Sequence, residues 1–142
     1  MASHSQHIST LIEVPVGEVY SYASDPSNLP TWAPGLGSSV ELFYGQWIAE
    51  SPMGRVVFIF APRNEYGILD HHVILPSGET VYNPMRVIVD GTGCEVVFTL
   101  RRQPGMSDED FARDADAVSA DLIRLKRVLE GRRSGATSSK PC

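Results

Sequence analysis

His71, Asn83 and the arginines Arg86, Arg101 and Arg102 are the side chains of this sequence best suited to do chemistry. A histidine steadied by an amide in apolar surroundings can exchange a proton near neutral pH. A guanidinium aimed at the same point can bind a carboxylate or polarise a carbonyl, because its planar fork fits oxyanions. The carboxylates Asp70, Glu50 and Glu65 are also available, but no two have the spacing of an acid–base pair. His71 and His72 are neighbours in a strand-like stretch, so they project to opposite faces and do not readily share a metal. There is no Walker loop, no Gly-x-Ser-x-Gly elbow, no Cys-x-x-Cys and no His-Glu-x-x-His. Gly35-Leu36-Gly37 lacks the third glycine and the following helix of a dinucleotide site. The expectation is therefore no metal and no cofactor.

Whether His71 matters depends on which way its strand faces. One phase turns Leu69, His71 and Val73 inward; the other turns Ile68, Asp70, His72 and Ile74 inward, and periodicity does not choose between them. In 80–90 the phase is clearer, since Val81, Met85, Val87 and Val89 share it with Asn83. Pairing of the two strands through Pro76-Ser77-Gly78 would bring His71 beside Asn83. The favoured reading of that pair is a core histidine satisfied by the amide or by backbone, because buried polar groups find partners whether or not they catalyse. The sharper reading makes His71 the proton carrier and Asn83 or an arginine the stabiliser of an enolate. Around them, strand parity turns Trp47, Phe58, Phe60, Met85 and Phe98 to the inner side, with Arg102 in phase at a strand end. Trp32 would close one end, and Met106 with Phe111 would come from the start of a long helix. Each residue taken singly fits ordinary core filling; together they fit the wall of a ligand site.

These residues are positioned by elements that the sequence marks out. Residues 7–14 alternate as a strand, and Pro15 then opens a helix carrying Val16, Val19, Tyr20 and Ala23 at helical spacing. Asp25-Pro26 starts a second short helix, limited by Pro30 and Pro34. Six strands follow, at 38–44, 46–51, 55–61, 66–75, 80–90 and 94–102. Their connections are too short for parallel crossovers and imply an antiparallel meander. Ser107 then caps a helix whose apolar stripe is Phe111, Ala115, Val118, Leu122, Leu125 and Leu129. At about 24 residues that helix would span about 36 Å. Residues 134–142 form a small-residue polar tail expected to be flexible, which leaves 1–133 as a single domain.

Composition fits this outline and excludes several classes. The 142 residues suit one domain, and 42% hydrophobic with 20% charged residues is globular. A formal net charge of −5 opposes broad capture of nucleic acid or anionic lipid. No stretch approaches the roughly 18 apolar residues of a membrane helix. The start, MASHSQHIST, lacks a secretory pattern, so the default expectation is cytoplasmic. Two cysteines, Cys94 and Cys142, are too few for a disulfide scaffold and are read as unpaired.

A seven-stranded antiparallel sheet curls as it twists, and one helix covers only a strip of its concave face. The remaining volume would be an apolar cavity. The order strand, two short helices, six strands, long helix resembles the helix-grip, α+β fold of the START/Bet v 1-like (SRPBCC) superfamily. Val14-Pro15-Val16-Gly17-Glu18-Val19-Tyr20 is similar to the family's opening, and Asp25-Pro26-Ser27-Asn28-Leu29-Pro30-Thr31-Trp32-Ala33-Pro34 to its second-helix segment. Leu69-Asp70-His71, Asn83-Pro84-Met85-Arg86 and the last helix resemble small bacterial polyketide cyclase/dehydrase members. The resemblance covers about 8–130. It implies binding of a small hydrophobic molecule, and for an enzyme, cofactor-free cyclisation or dehydration of an enolisable carbonyl compound. Its members also include non-catalytic carriers and sensors, and a filled core would leave only an interaction module. An exposed sheet edge would suit a homodimer.

Overall fold

The computed structural model describes residues 4–35, 38–52 and 54–138, the last six of these by backbone alone. Leu36, Gly37, Met53 and the expected tail residues 139–142, with Cys142, lie outside the described residues. The chain runs β1 (Ser5–Ile12), α1 (Val16–Ala23), a 3₁₀ turn (Pro26–Asn28), α2 (Leu29–Trp32), β2 (Ser39–Phe43), β3 (Gln46–Ser51) and β4 (Gly54–Phe60). It continues through β5 (His71–Ile74), β6 (Thr80–Asn83), β7 (Met85–Asp90), β8 (Gly93–Arg101) and α3 (Asp108–Ser138). All strand pairs are antiparallel, ordered β2-β3-β4-β5-β6 in one sheet and β1-β8-β7 in the other.

The expected seven strands become eight because the stretch 80–90 is divided at Pro84. Proline brings no N–H to the ladder. The register is nevertheless continuous across the break: the alignment that sets His71 opposite Asn83 also sets Ile68 opposite Arg86. Two side chains repair the interruption. The Met85 amide donates to Asp70 Oδ1 at 2.9 Å, while the Leu69 carbonyl accepts from His71 Nδ1 at 3.0 Å. On the other side, the Thr99 amide donates to the Pro84 carbonyl at 2.9 Å. The two sheets thus form one bent wall with its kink at Asp70 and Pro84. The strand expected at 66–75 begins only at His71, since residues 62–70 wrap around Asn64, whose side chain bonds the Pro62 and Ile68 carbonyls and the Tyr66 and Ile68 amides.

Helix α3 carries the expected cap, with the Asp110 amide donating to Ser107 Oγ at 3.1 Å. Its stripe buries Phe111, Ala115, Leu122, Leu125 and Leu129, with Val118 partly buried. The helix continues to Ser138, into the segment expected as tail, because no proline follows until Pro141 and a nucleated helix propagates cheaply. Its C-terminal half is tied across β1: Lys126 Nζ donates to the Leu11 carbonyl at 2.7 Å, and Glu130 accepts from the Glu13 amide at 2.8 Å. At the other end Arg102 bonds the Met106 carbonyl and pairs with Asp108. Held against the β1 and β8 side at both ends, α3 leaves space over β4, β5 and β6.

Candidate functional site

That space is a cavity of about 740 Å³ between the sheet and α3. Its sheet wall is Phe58 and Phe60 from β4, His71 and Val73 from β5, Val81 and Asn83 from β6, and Phe98 and Leu100 from β8. Leu29 and Trp32 close one end, and Met106 lines the approach to α3. The phase left open by periodicity is therefore Leu69, His71 and Val73 inward, with His72 outside. Asp70 faces away from the cavity and binds the Tyr82 hydroxyl and both Arg86 donors. Burial would raise its carboxyl, but the hydrogen bonds from Arg86, Met85 and Tyr82 outweigh it and hold the group at about 2.

His71 is 4% exposed and stacks on Phe60 with ring centroids 4.9 Å apart. A carbonyl can only accept, so the bond to Leu69 places the imidazole proton on Nδ1 and leaves the lone pair on Nε2. Asn83 Nδ2 donates toward that lone pair at 3.4 Å. Burial pushes the His71 pKa below its ordinary value, partly offset by the Leu69 carbonyl. The ring is thus neutral, oriented and basic on the cavity side. One N–H of the Asn83 amide points to His71 Nε2, which leaves a second N–H and the carbonyl oxygen for another partner.

Trp32, Phe58, Phe60, His71, Asn83, Phe98 and Met106 come together around this volume. Trp47, Met85, Arg102 and Phe111 are not part of its wall. Met85 is 1% exposed inside the packed core, and Trp47 is half-buried opposite Phe58 on β3. Arg102 is spent on the start of α3, and Phe111 packs edge-on against His4 beneath that guanidinium. Cys94 is a core thiol that burial pushes up to about 11, far from nucleophilic. Among the described residues no three His, Cys, Asp or Glu side chains can share a metal ion.

The helix wall is where the sequence reading fell short. Asp110, Asp114, Ala117, Asp121 and Arg124 line the cavity. Their spacing of four and three repeats the helical period beside the apolar stripe, so the signal was present as a second stripe. Charges on a helix usually face solvent, so spacing by itself does not mark such a stripe as a cavity wall. Asp121 pairs with Arg124 at 2.9 Å, and Arg124 also donates to the Trp32 carbonyl at 3.1 Å. Burial nevertheless lifts Asp121 to about 6.

No family model matches the sequence, and no curated protein matches it. Solved structures do match in fold. Ara h 8.0201 is 14% identical with a TM-score of 0.71, over 92% of this chain and 99% of that one. The fold is Bet v 1-like. A second match in fold is a Bacillus thuringiensis protein, 16% identical with a TM-score of 0.71, over 88% of this chain and 98% of that one. A third is the di-domain ARO/CYC protein BexL of the BE-7585A biosynthetic pathway, 18% identical with a TM-score of 0.67. There the match spans 89% of this chain and 46% of BexL. Within this Bet v 1-like frame no described helix is long and apolar enough to cross a membrane.

Proposed function

We propose that the protein binds a small, largely apolar molecule between its sheet and α3. The supporting observation is the cavity itself. Protein interiors close to crystal density, and about 740 Å³ is within the range of small-molecule sites and far above a packing defect. Its aromatic sheet wall suits a flat ligand. Titration with 1-pyrenemethanol, followed by pyrene emission, tests this: saturable binding is expected, and the double variant Val81→Trp/Ala117→Trp should weaken it by about tenfold or more. Binding that is unsaturable, or unchanged in the filled variant, would sink the reading.

The placement of His71 favours a second activity on the same molecule. His71 is neutral, and a bound β-hydroxyketone that displaces the long 3.4 Å contact from Asn83 frees the Nε2 lone pair to take its α-proton while the electron pair moves to the carbonyl oxygen. Return of that proton to the departing hydroxyl completes loss of water, with no cofactor required. Asn83 orients the ring in the free protein, and its second Nδ2–H can meet the enolate oxygen. Dehydration of a naphthyl β-hydroxyketone should fall by about 100-fold or more in His71→Gln, the usual worth of a positioned base. Equal rates in parent and variant, with pyrenemethanol still bound, would leave a carrier and no enzyme.

A further inference from the structure

Trp32 lines the α2 end of the cavity at 4% exposure, and its Nε1–H is buried without an acceptor among the described residues. The polar side chains around α2 are spent on one another. The Tyr22 hydroxyl donates to Thr31 Oγ1 at 2.7 Å, Thr31 donates to the Asn28 carbonyl at 2.6 Å, and Asn28 Nδ2 donates to the Tyr22 carbonyl at 3.1 Å. None of them turns to the indole. The backbone beneath it is pinned, because Arg124 donates to the Trp32 carbonyl at 3.1 Å and the Ala33 amide to the Leu29 carbonyl at 2.7 Å. The ring itself is held by packing alone. With about 740 Å³ open beside it, the indole can turn its N–H edge toward an occupant. A buried donor without a partner is costly, and a phenylalanine would close the same end without that cost. The indole suits a molecule that brings the missing acceptor.

We propose that the occupant is a flat apolar molecule with a neutral carbonyl oxygen at the α2 end, and that Trp32 Nε1–H donates to that oxygen. This rests on the cavity being a binding site and adds the class of its occupant and the residue that selects it. An ammonium group brings donors only and leaves the indole unsatisfied. A hydroxyl can accept, but it carries its own hydrogen into an end whose polar groups are already bonded. A carboxylate would be buried against one neutral donor, while Arg124, the cation bonded to this end of α2, is already paired with Asp121. A ketone, aldehyde or ester oxygen accepts and needs no further partner.

A matched pair of probes separates this from simple apolar binding. The chain has two tryptophans, Trp32 and the half-buried Trp47 off the cavity wall, so ¹⁵N-labelled protein gives two indole N–H resonances, told apart by Trp47→Phe. The intact protein would be titrated with 1-acetylpyrene and 1-ethylpyrene, which share one aromatic body and differ in the carbonyl oxygen. Both should bind, but only 1-acetylpyrene should carry the Trp32 indole proton downfield, with Trp47 unmoved. Trp32→Phe should weaken 1-acetylpyrene about tenfold more than 1-ethylpyrene, as loss of one hydrogen bond would give. 1-Pyrenecarboxylic acid should bind more weakly than 1-acetylpyrene. The same Trp32 shift with both probes, equal losses in Trp32→Phe, or tightest binding of the acid would each overturn the carbonyl assignment while leaving apolar binding in place. Should Trp32→Phe fail to fold, the Trp32 resonance of the parent protein decides alone. If neither probe nor 1-pyrenemethanol binds, both readings fall together.

Discussion

Asp70 does for the backbone what Pro84 cannot. Its carboxylate accepts from the Met85 amide, the Tyr82 hydroxyl and two Arg86 donors, and so closes the ladder at the kink that aims Asn83 at His71. Hydrogen bonds to a charged group contribute about 1.5–3 kcal/mol, so Asp70→Asn should lower stability by about that amount in urea unfolding at pH 7. The pH dependence has a fixed sign. A carboxyl held at about 2, against an ordinary 3.8, favours the folded state above 3.8, and that contribution disappears as the pH falls toward 2. The gap between parent and Asp70→Asn should therefore be constant above about pH 4 and close below it. A gap that persists unchanged at pH 2 would mean the carboxylate is not the repairing group. His71 behaves in the opposite chemical sense, as a base that burial keeps neutral.

At the level of elements, close backbone approaches fix where the wall bends. Gly67 lies at φ +71, and a Cβ there would collide with the Val87 carbonyl oxygen just beyond the kink. Its own carbonyl accepts from the Val87 amide at 2.9 Å, so the strand and the loop cannot separate to make room. Gly67→Ala should cost about 2–4 kcal/mol, from left-handed strain and the forced displacement together, read as a lower urea midpoint with unchanged slope. Gly78, also at positive φ, has nothing within 4 Å of its would-be Cβ, and alanine there should cost only the backbone strain. Helix α3 shows the complementary case. Its apolar stripe was plain in the sequence because period and burial agree, whereas the stripe from Asp110 to Arg124 was legible in spacing and illegible in meaning. Asp110 and Asp114 stay exposed, and the gap under the helix takes only Asp121 and Arg124 partly out of solvent.

Over the whole molecule, the empty volume sets function against stability. Packing contacts missing across the cavity are stabilisation left unused. A ligand that fills the space recovers some of it and raises the melting temperature by mass action. The Val81→Trp/Ala117→Trp chain should accordingly melt no lower than the parent while losing the shift that 1-pyrenemethanol gives the parent. Such a trade is common where a site must stay open.

The amino-acid order alone determined what is local and repetitive: the meander of short-turned strands, the Ser107-capped helix and the antiparallel sense. Each of these follows from periodicity and turn chemistry within a few residues or across one hairpin. Three things were decided only in three dimensions. The bend at Pro84 needed the Asp70 carboxylate from another strand to supply the missing partner. The departure of Arg102, Phe111, Met85 and Trp47 from the cavity depended on what lay opposite each of them. The acidic wall depended on how far α3 stands from β4, β5 and β6, and that distance is set by anchors at its two ends, Arg102 and Lys126. A side chain's type is written in the sequence, but its dielectric surroundings and its partners come from segments remote along the chain.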